Sequence, residues 1–208
     1  MNRAQGLTLI GVMISLLLSS SIVLLLVTLY SKYQRLYASI EHTVQYNENK
    51  RFIRGFLENQ IIRAGFHNKV FLPSKQAFPE DVEKKLAAGQ VVLLRSESDL
   101  LIRYQPIYPN QLSCDGRNIS RDIKNRQEAA DLPLVSTRIY FDKHNKVLRC
   151  NGHSILESID SVYFDIIEEY SLKGRYVKAV YYEIYLLGNT NPVIGKLYLR
   201  NALWLANN

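Results

Sequence analysis

Two cysteines are the residues of this sequence whose types and spacing bear most directly on chemistry. Cys114 and Cys150 are the 2 cysteines in a chain of 208 residues. In a domain exported to an oxidising compartment, an even number of cysteines favours a disulfide over free thiols. The bond would close a loop of about 37 residues, for which the chain-entropy estimate is roughly 4 kcal/mol of stabilisation.

Two other uses of the cysteines are open from the residues alone. His153 follows Cys150 at the spacing Cys-x-x-His, and His144 is the further histidine that a metal site would recruit. A tetrahedral site needs three or four ligands, and a single pair has metal-like spacing here. A Cys/His nucleophile would need an oxyanion hole and a lowered thiol pKa, and no motif marks either. The sequence therefore favours the disulfide and implies no cofactor.

Four carboxylates cluster near the C-terminal third and raise the alternative of a membrane-anchored enzyme. They are Asp160, Asp165, Glu168 and Glu169, and on a regular strand Asp165 and Glu169 would share a face. The chain has no P-loop, no Gly-x-Ser-x-Gly and no His-Glu-x-x-His motif. A solvated strand face is the simpler interpretation, so we predict that the chain is not an enzyme.

The charge balance raises nucleic-acid binding as a further alternative. The chain has 26 Lys and Arg against 19 Asp and Glu, a formal net charge of +7, together with 14 tyrosines. Tyrosines can stack on bases and cations can contact phosphate. The cations are spread along the chain, however, and most tyrosines lie in predicted strands, where aromatic residues commonly pack. Nucleic acid is a possible partner but not the favoured one.

The N-terminal region contains a long run without charge, between Arg3 and Lys32. Residues 7–30 form a stretch of about 24 residues, which as a helix reaches roughly 36 Å and can cross a hydrocarbon core of about 30 Å. A cleaved secretion signal has a shorter apolar region, of about 7–15 residues. A helix of this length in the core of a soluble protein is also rarely apolar on every side. The run predicts a single transmembrane segment.

The helical pattern continues beyond the membrane-length run. No proline interrupts residues 31–66, and Leu36, Ile40 and Val44 recur at four-residue spacing. Gly65 is a suitable stop. One helix over 7–64 is therefore predicted, with a transmembrane half and an amphipathic half that needs a packing partner.

The remaining residues predict a domain rich in strands. A short helix is expected between Pro79 and Gly89, then a hairpin that turns at "SESD", a strand pair around 142–146, a hairpin that turns at 173–174, and a final strand in "VIGKLYLRNALWL". Alternate residues of one strand form the better core face: Val180, Tyr182, Ile184 and Leu186. Short connections imply an antiparallel sheet, and a helix before a run of strands implies the α+β class, with the amphipathic half of the helix on the sheet.

The N-terminal stretch "QGLTLIGVMISLLL" resembles the leader of type IV prepilins. The resemblance implies that a prepilin peptidase cuts after Gly6, which removes residues 1–6, and that the new N-terminal residue Leu7 is methylated. Arg3 on the cytoplasmic side agrees with the positive-inside rule.

Later blocks resemble the PilW-like minor pilins of type IV pili. They are "NENKRFIRGFLENQIIRAGF", "SCDGRN", "LRCNGHSILESIDSVYFDIIEEY", "VKAVYYEIYLLG" and "LRNALW". The resemblance implies a pilin-like fold, with a helix over 7–64, its transmembrane segment at 7–30, and a periplasmic globular domain over 65–208. It also implies a single-pass inner-membrane protein that moves into a pilus after assembly.

One position departs from the family pattern. The fifth residue after the cut is normally a glutamate, which is thought to pair with the terminal amine of a neighbouring subunit, whereas this chain has Gly11. A charged amine in an apolar environment is costly unless it is paired. A subunit at the fibre tip would not need the carboxylate, and a tolerated loss or a degraded paralogue are the alternatives.

The expected function is that of a minor pilin that helps to initiate a type IV pilus. Its partners would be other minor and major pilins, the prepilin peptidase and the inner-membrane assembly platform. A minor pseudopilin of a type II secretion system has a similar layout and is the nearest alternative. A pilus-displayed subunit that binds DNA or a surface is the other.

Overall fold

The computed structural model describes residues 3–68, 74–108, 111–117, 119, 132–171 and 174–199, with the backbone alone at residues 3–8 and 171, 174 and 175. The near-terminal block "LRNALW" after Leu199, much of the polar loop after Cys114, and Lys173 of the predicted turn at 173–174 lie outside the described residues. Contacts divide the chain into two compact units, Met1–Glu48 and Asn49–Asn208. The elements are the helices α1 (Arg3–Ile61) and α2 (Ser74–Ala77) and the strands β1 (Val92–Ser96), β2 (Asp99–Tyr104), β3 (Val135–Asp142), β4 (Val147–Cys150), β5 (His153–Leu156), β6 (Ile159–Ser171), β7 (Gly174–Leu186) and β8 (Val193–Tyr198).

The first unit consists of helix α1 up to Glu48. The part from Leu9 onwards is long and apolar enough to cross a membrane, with a mean hydropathy of 2.6 in its most apolar window. Hydroxyl groups in this part are satisfied within the helix: Ser15 Oγ donates to the Gly11 carbonyl at 2.9 Å, and Ser19 Oγ to the Ser15 carbonyl at 2.6 Å. Such internal bonds suit an environment without water, because an unsatisfied hydroxyl in hydrocarbon is costly.

The second unit contains two antiparallel sheets, one with the order β1-β2-β3-β4-β5 and one with the order β6-β7-β8. The sequence predicts an antiparallel sheet, and the structure confirms this pairing while dividing the strands between two sheets. A backbone hydrogen bond from Phe164 N–H to the Glu97 carbonyl connects β6 to the β1–β2 turn. The fold is therefore α+β, with a long N-terminal helix and antiparallel sheets, as in a pilin-like arrangement.

The core face of β7 is the one that the alternation predicts. Val180, Tyr182 and Ile184 are fully buried and Leu186 is 4% exposed. On the neighbouring strand β8, Gly195 lies opposite Tyr182. A Cβ at Gly195 would lie 2.2 Å from Tyr182 Cζ, so the glycine leaves the space that the tyrosine ring occupies.

The last turns of α1 belong to the second unit and are buried in it. Ile53, Leu57 and Ile61 have no exposed surface, at the spacing of one helix face. The helix ends at Ile61, and Gly65 follows with φ 76°, a left-handed conformation that glycine adopts without strain. The Gly65 N–H donates to the Arg103 carbonyl of β2 at 2.9 Å, which ties the helix end to the first sheet.

One local prediction is wrong, and one strand was not predicted. The segment between Pro79 and Gly89 is a turn closed by a bridge between Asp81 and Leu86 rather than a helix. Asp81 Oδ1 accepts the Lys84 N–H at 3.1 Å, and Lys85 has φ 57°, so a side-chain-capped turn replaces the helical bonds. Strand β5 was not predicted, because its four residues show no alternation between buried and exposed positions.

Among the carboxylates that the structure describes, Asp142 in the β3–β4 turn has the most strongly lowered pKa. Hydrogen bonds from Asn145 and Arg149 lower the pKa of Asp142 to about 2. Arg149 Nε donates to Asp142 Oδ2 at 2.9 Å. The turn at 142–146 is the one that the sequence predicts, and its aspartate is fixed by the residues that close it.

Candidate functional site

A first candidate functional surface is the length of α1 in the first unit, which is exposed against the described residues. Every described side chain over residues 9–45 is exposed. Between Leu9 and Tyr30 the large apolar side chains keep between 52% and 67% of their area accessible. These side chains surround the helix on all sides, which a water-exposed helix does not do. The segment therefore needs lipid or other protein around it.

A second apolar surface follows on the same helix. We call it the helix stripe, defined as Tyr33, Leu36, Tyr37, Ile40 and Val44, with 49–64% of each side chain exposed. Their spacing places them along one side, and the Tyr33 and Tyr37 rings stack with centroids 6.4 Å apart. Because the other side carries charges, the stripe resembles one side of a helix–helix seam rather than a lipid-facing surface.

The residues at which processing is predicted lie at the start of the same helix. Gly6 and Leu7 fall within α1, and Gly11 follows one turn later. A Cβ at Gly11 would have no neighbour within 4 Å, so space does not require glycine there. The first acidic residue of the chain is Glu41. The apolar half of the helix therefore has no carboxylate that could pair with an N-terminal amine, at Gly11 or at any other position.

The cysteines form the predicted disulfide. Cys114 and Cys150 are bonded, with their Cα atoms 6.1 Å apart. Cys150 is fully buried at the end of β4, and Cys114 lies in a turn of the connection between β2 and β3. Because both sulfurs are in the bond, the Cys150–His153 pair offers no thiolate to a metal. Among the residues that the structure describes, no three His, Cys, Asp or Glu side chains are grouped to hold an ion.

A serine, an aspartate and a histidine do meet beside the disulfide, but not as a nucleophile and its base. Ser113 Oγ donates to Asp115 Oδ1, whereas His153 Nε2 lies 2.9 Å from Arg117 Nη2. Burial raises the pKa of Asp115, but hydrogen bonds from Ser113 and from the Arg117 N–H outweigh it and leave the pKa lowered. The Ser113 hydroxyl therefore donates to a carboxylate rather than to an imidazole base. Together with the Arg117 N–H, it fixes Asp115 in the turn that contains Cys114.

The carboxylates of β6 do not converge on one site, although Asp165 and Glu169 lie on the same parity of the strand. A register shift between Ile167 and Glu168 leaves Lys178 as an extra residue on β7, so that Asp165 pairs with Tyr181 and Glu169 with Tyr176. Because the extra residue lies on β7, the alternation of β6 is not interrupted, and Asp165 and Glu169 keep the same face as the sequence predicts. Glu169 instead accepts from Lys178 Nζ at 2.8 Å and from Tyr176 Oη at 2.8 Å.

A surface that the sequence analysis did not assign lies on the outward side of the three-stranded sheet. We call it the tyrosine face, defined as Tyr163, Asp165, Tyr181, Glu183, Lys196 and Tyr198. Cross-strand pairing places Tyr163 opposite Glu183 and Tyr181 between Asp165 and Lys196. The Tyr181 hydroxyl donates to Glu183, and this bond raises the pKa of Tyr181 to about 12. The signal in the sequence was the alternation of tyrosines and acids in strands whose other parity is apolar.

Comparison with known proteins adds no family to these observations. No protein-family model, no curated protein and no solved structure matches the chain. The fold and the exposed helix define the class: an α+β protein with one N-terminal helix long and apolar enough to cross a membrane, and with a disulfide in its sheet domain.

Proposed function

We propose that this chain is a minor pilin that anchors in the inner membrane and then enters a type IV pilus through its N-terminal helix. One observation carries the proposal. Helix α1 runs unbroken from Arg3 to Ile61, and its large apolar side chains between Leu9 and Tyr30 are more than half exposed against the residues that the structure describes. A helix that ends in a folded sheet domain and begins as bare apolar surface suits a subunit whose helix is covered by its surroundings.

The size of the bare surface explains why it must be covered. The apolar side chains between Leu9 and Tyr30 number sixteen. At roughly 1.5–3 kcal/mol for each large side chain, their exposure to water would cost tens of kcal/mol. A bilayer removes this cost before assembly, when the helix is embedded in the membrane. A bundle of neighbouring helices removes it after assembly, so the same surface serves both stages.

The helix stripe distinguishes assembly from simple anchoring. Its residues lie beyond the stretch that the bilayer core covers, since the charged Lys32 precedes the stripe and Arg35 lies in its first turn. An apolar side with stacked tyrosines on a helix that is otherwise polar there is suited to another helix. Docking of neighbouring subunits along this side follows from the proposal.

The tyrosine face argues against nucleic-acid binding through this sheet. Its two acids, Asp165 and Glu183, lie opposite Tyr181 and Tyr163, and Glu183 accepts a hydrogen bond from the Tyr181 hydroxyl. The Asp165 charge raises the pKa of Tyr163, which reports a negative field at that position. Phosphates prefer the opposite sign of charge.

Processing provides the direct test of the proposal. Mass spectrometry of the chain recovered from cells with an active prepilin peptidase should show loss of residues 1–6 and one methyl group on Leu7. The variant Gly6→Val should keep the leader, because a branched side chain crowds the peptidase groove. Gly11→Ala is the matched control: its Cβ would have no neighbour within 4 Å, so the cut should proceed. A mature wild-type chain that keeps residues 1–6 in such cells contradicts the proposal.

The helix stripe has its own test. Ile40→Lys should abolish co-purification with other pilins from solubilised membranes, because a charge on the seam cannot be paired. His42→Lys, two positions on and therefore on the opposite side of the helix, is the control and should leave co-purification intact. Equal losses in both variants would show that the stripe is not the seam.

A further inference from the structure

The tyrosine face combines ring surfaces with negative charge in a chain that is otherwise basic. The formal net charge of the chain is +7. On this side of the sheet, by contrast, Asp165 and Glu183 accompany Tyr163 and Tyr181, and Lys196 is the cation of the face. Glu97, in the turn that hydrogen-bonds to β6, adds a third acid next to Tyr163.

The face is open and its rings are accessible. Tyr163 is 37% exposed, and Tyr198 is 51% exposed on β8. Strand β8 forms an edge of the three-stranded sheet. An exposed sheet surface of this kind offers the faces of its tyrosine rings to a ligand and does not enclose it in a pocket.

The structure already contains one example of the contact that we infer. Lys196 Nζ lies 5.2 Å from the centroid of the Tyr198 ring, within the range of a cation–π contact. A cation on this face thus meets both a ring and, one row away, a carboxylate. An arginine is better suited still, because its planar guanidinium stacks on a ring while its N–H groups bind a carboxylate.

We propose that the tyrosine face is a docking surface for the basic surface of another protein subunit, one that presents arginine or lysine side chains. The charge complementarity carries the proposal: the acids and tyrosine rings gather on one side of one sheet, in a chain whose overall charge repels cations. It goes beyond the proposed function, because it concerns the sheet domain rather than the helix, and it holds or fails independently of processing and of fibre formation.

Binding of a fluorescent six-arginine peptide to the full chain tests the proposal. The chain is kept in micelles of a non-ionic detergent, and fluorescence anisotropy reports the bound peptide. Because the whole chain repels a basic peptide, saturable binding that weakens as salt rises would report the local acidic face. A six-glutamate peptide with the same label should not compete for it.

Paired variants locate the binding. Glu183→Gln should weaken binding by about two- to five-fold, the range for one exposed ion pair, and Asp165→Asn combined with it should weaken binding further. Glu157→Gln removes the same charge from an exposed residue outside the face and should have no effect. Tyr198→Phe should retain binding because the ring remains, whereas Tyr198→Leu should weaken it by about two- to five-fold. Tyr108, which is 68% exposed elsewhere, provides the control Tyr108→Leu.

Three results would overturn the proposal. One is the absence of saturable binding. Another is an equal loss in Glu157→Gln and Glu183→Gln, which would show a general charge effect. The third is binding of a neutral oligosaccharide that depends on Tyr198 but not on Asp165 or Glu183, which would identify the face as a carbohydrate surface.

Discussion

Replacement of Gly195 by alanine tests the packing of the second sheet at its tightest point. The added Cβ would lie 2.2 Å from Cζ, 2.3 Å from Oη and 2.4 Å from Cε1 of Tyr182. These atoms are the far end of a side chain, but Tyr182 is fully buried and cannot swing into solvent. The ring or the strand must therefore move.

The expected cost follows from this geometry. Overpacking a well-packed core typically costs about 1–3 kcal/mol. All three overlaps are far inside van der Waals contact, and displacement of β8 would weaken its pairing with β7, so the loss should be near the upper end, about 3 kcal/mol of unfolding free energy. Urea unfolding of the full chain in non-ionic micelles, followed by near-ultraviolet circular dichroism, measures it.

Two controls separate this clash from the general effect of alanine. Gly55→Ala makes the same chemical change in α1, where a Cβ would have no neighbour within 4 Å. It should stabilise the chain by about 0.5–1 kcal/mol, because alanine favours a helix over glycine. In a Tyr182→Leu background the ring atoms are gone, so Gly195→Ala should cost little, with a coupling of about 1 kcal/mol or more in the double-mutant cycle. Additive effects of the two substitutions would refute the reasoning.

Three further predictions concern other parts of the chain. Cys114 and Cys150 should resist alkylation until reduced, and loss of the bond should lower the unfolding free energy by up to about 4 kcal/mol; two alkylatable thiols in the unreduced chain would contradict this. The Asp142 pKa of about 2 lies below the 3.8 of an ordinary aspartate, so its contribution to stability is complete above pH 4 and is lost as the pH falls towards 2. Asp142→Asn should therefore flatten the stability profile in that window, and an unchanged profile would exclude the pairing. Gly11→Glu should be neutral or should reduce fibre number, since a carboxylate without a partner amine either protonates or is costly in the bilayer; a rise in fibre number would exclude the tip interpretation of Gly11.

Much of the fold was predictable because period and turn chemistry agree. The alternation that ends in Val180, Tyr182, Ile184 and Leu186 has one apolar parity, so its register could not slip without exposing the core. The hairpins turn where polar and glycine residues interrupt the strands, and the disulfide joins the cysteine pair that the composition favours. The four-residue spacing in α1 likewise fixes a helix that ends before Gly65.

The errors occur where one residue changes a local geometry. The extra residue Lys178 on β7 shifts the register of that strand against β6, and such a bulge leaves no mark in the pattern of residue types. Asp81 closes a turn where a proline followed by acidic residues resembles a helix start. The separation into two sheets depends on long-range pairing that alternation does not specify.

The candidate surfaces were predictable to different degrees. The apolar length of α1 is a property of composition and could be identified directly. The tyrosine face needs the pairing of three strands, because its acids and rings come from β6, β7 and β8. The alternation of residue types predicts which face each residue of one strand occupies, but it does not predict which residues of the other two strands lie beside them.

The number of surface fibres per cell tests the central claim, that the helix of this chain takes part in pilus assembly, most directly. A strain that lacks the chain should produce far fewer fibres, counted by electron microscopy. Wild-type chain and His42→Lys should restore the count, whereas Gly6→Val and Ile40→Lys should not, although both should remain in the membrane fraction. An unchanged fibre count in the deletion strain, or full restoration by Ile40→Lys, would contradict the account.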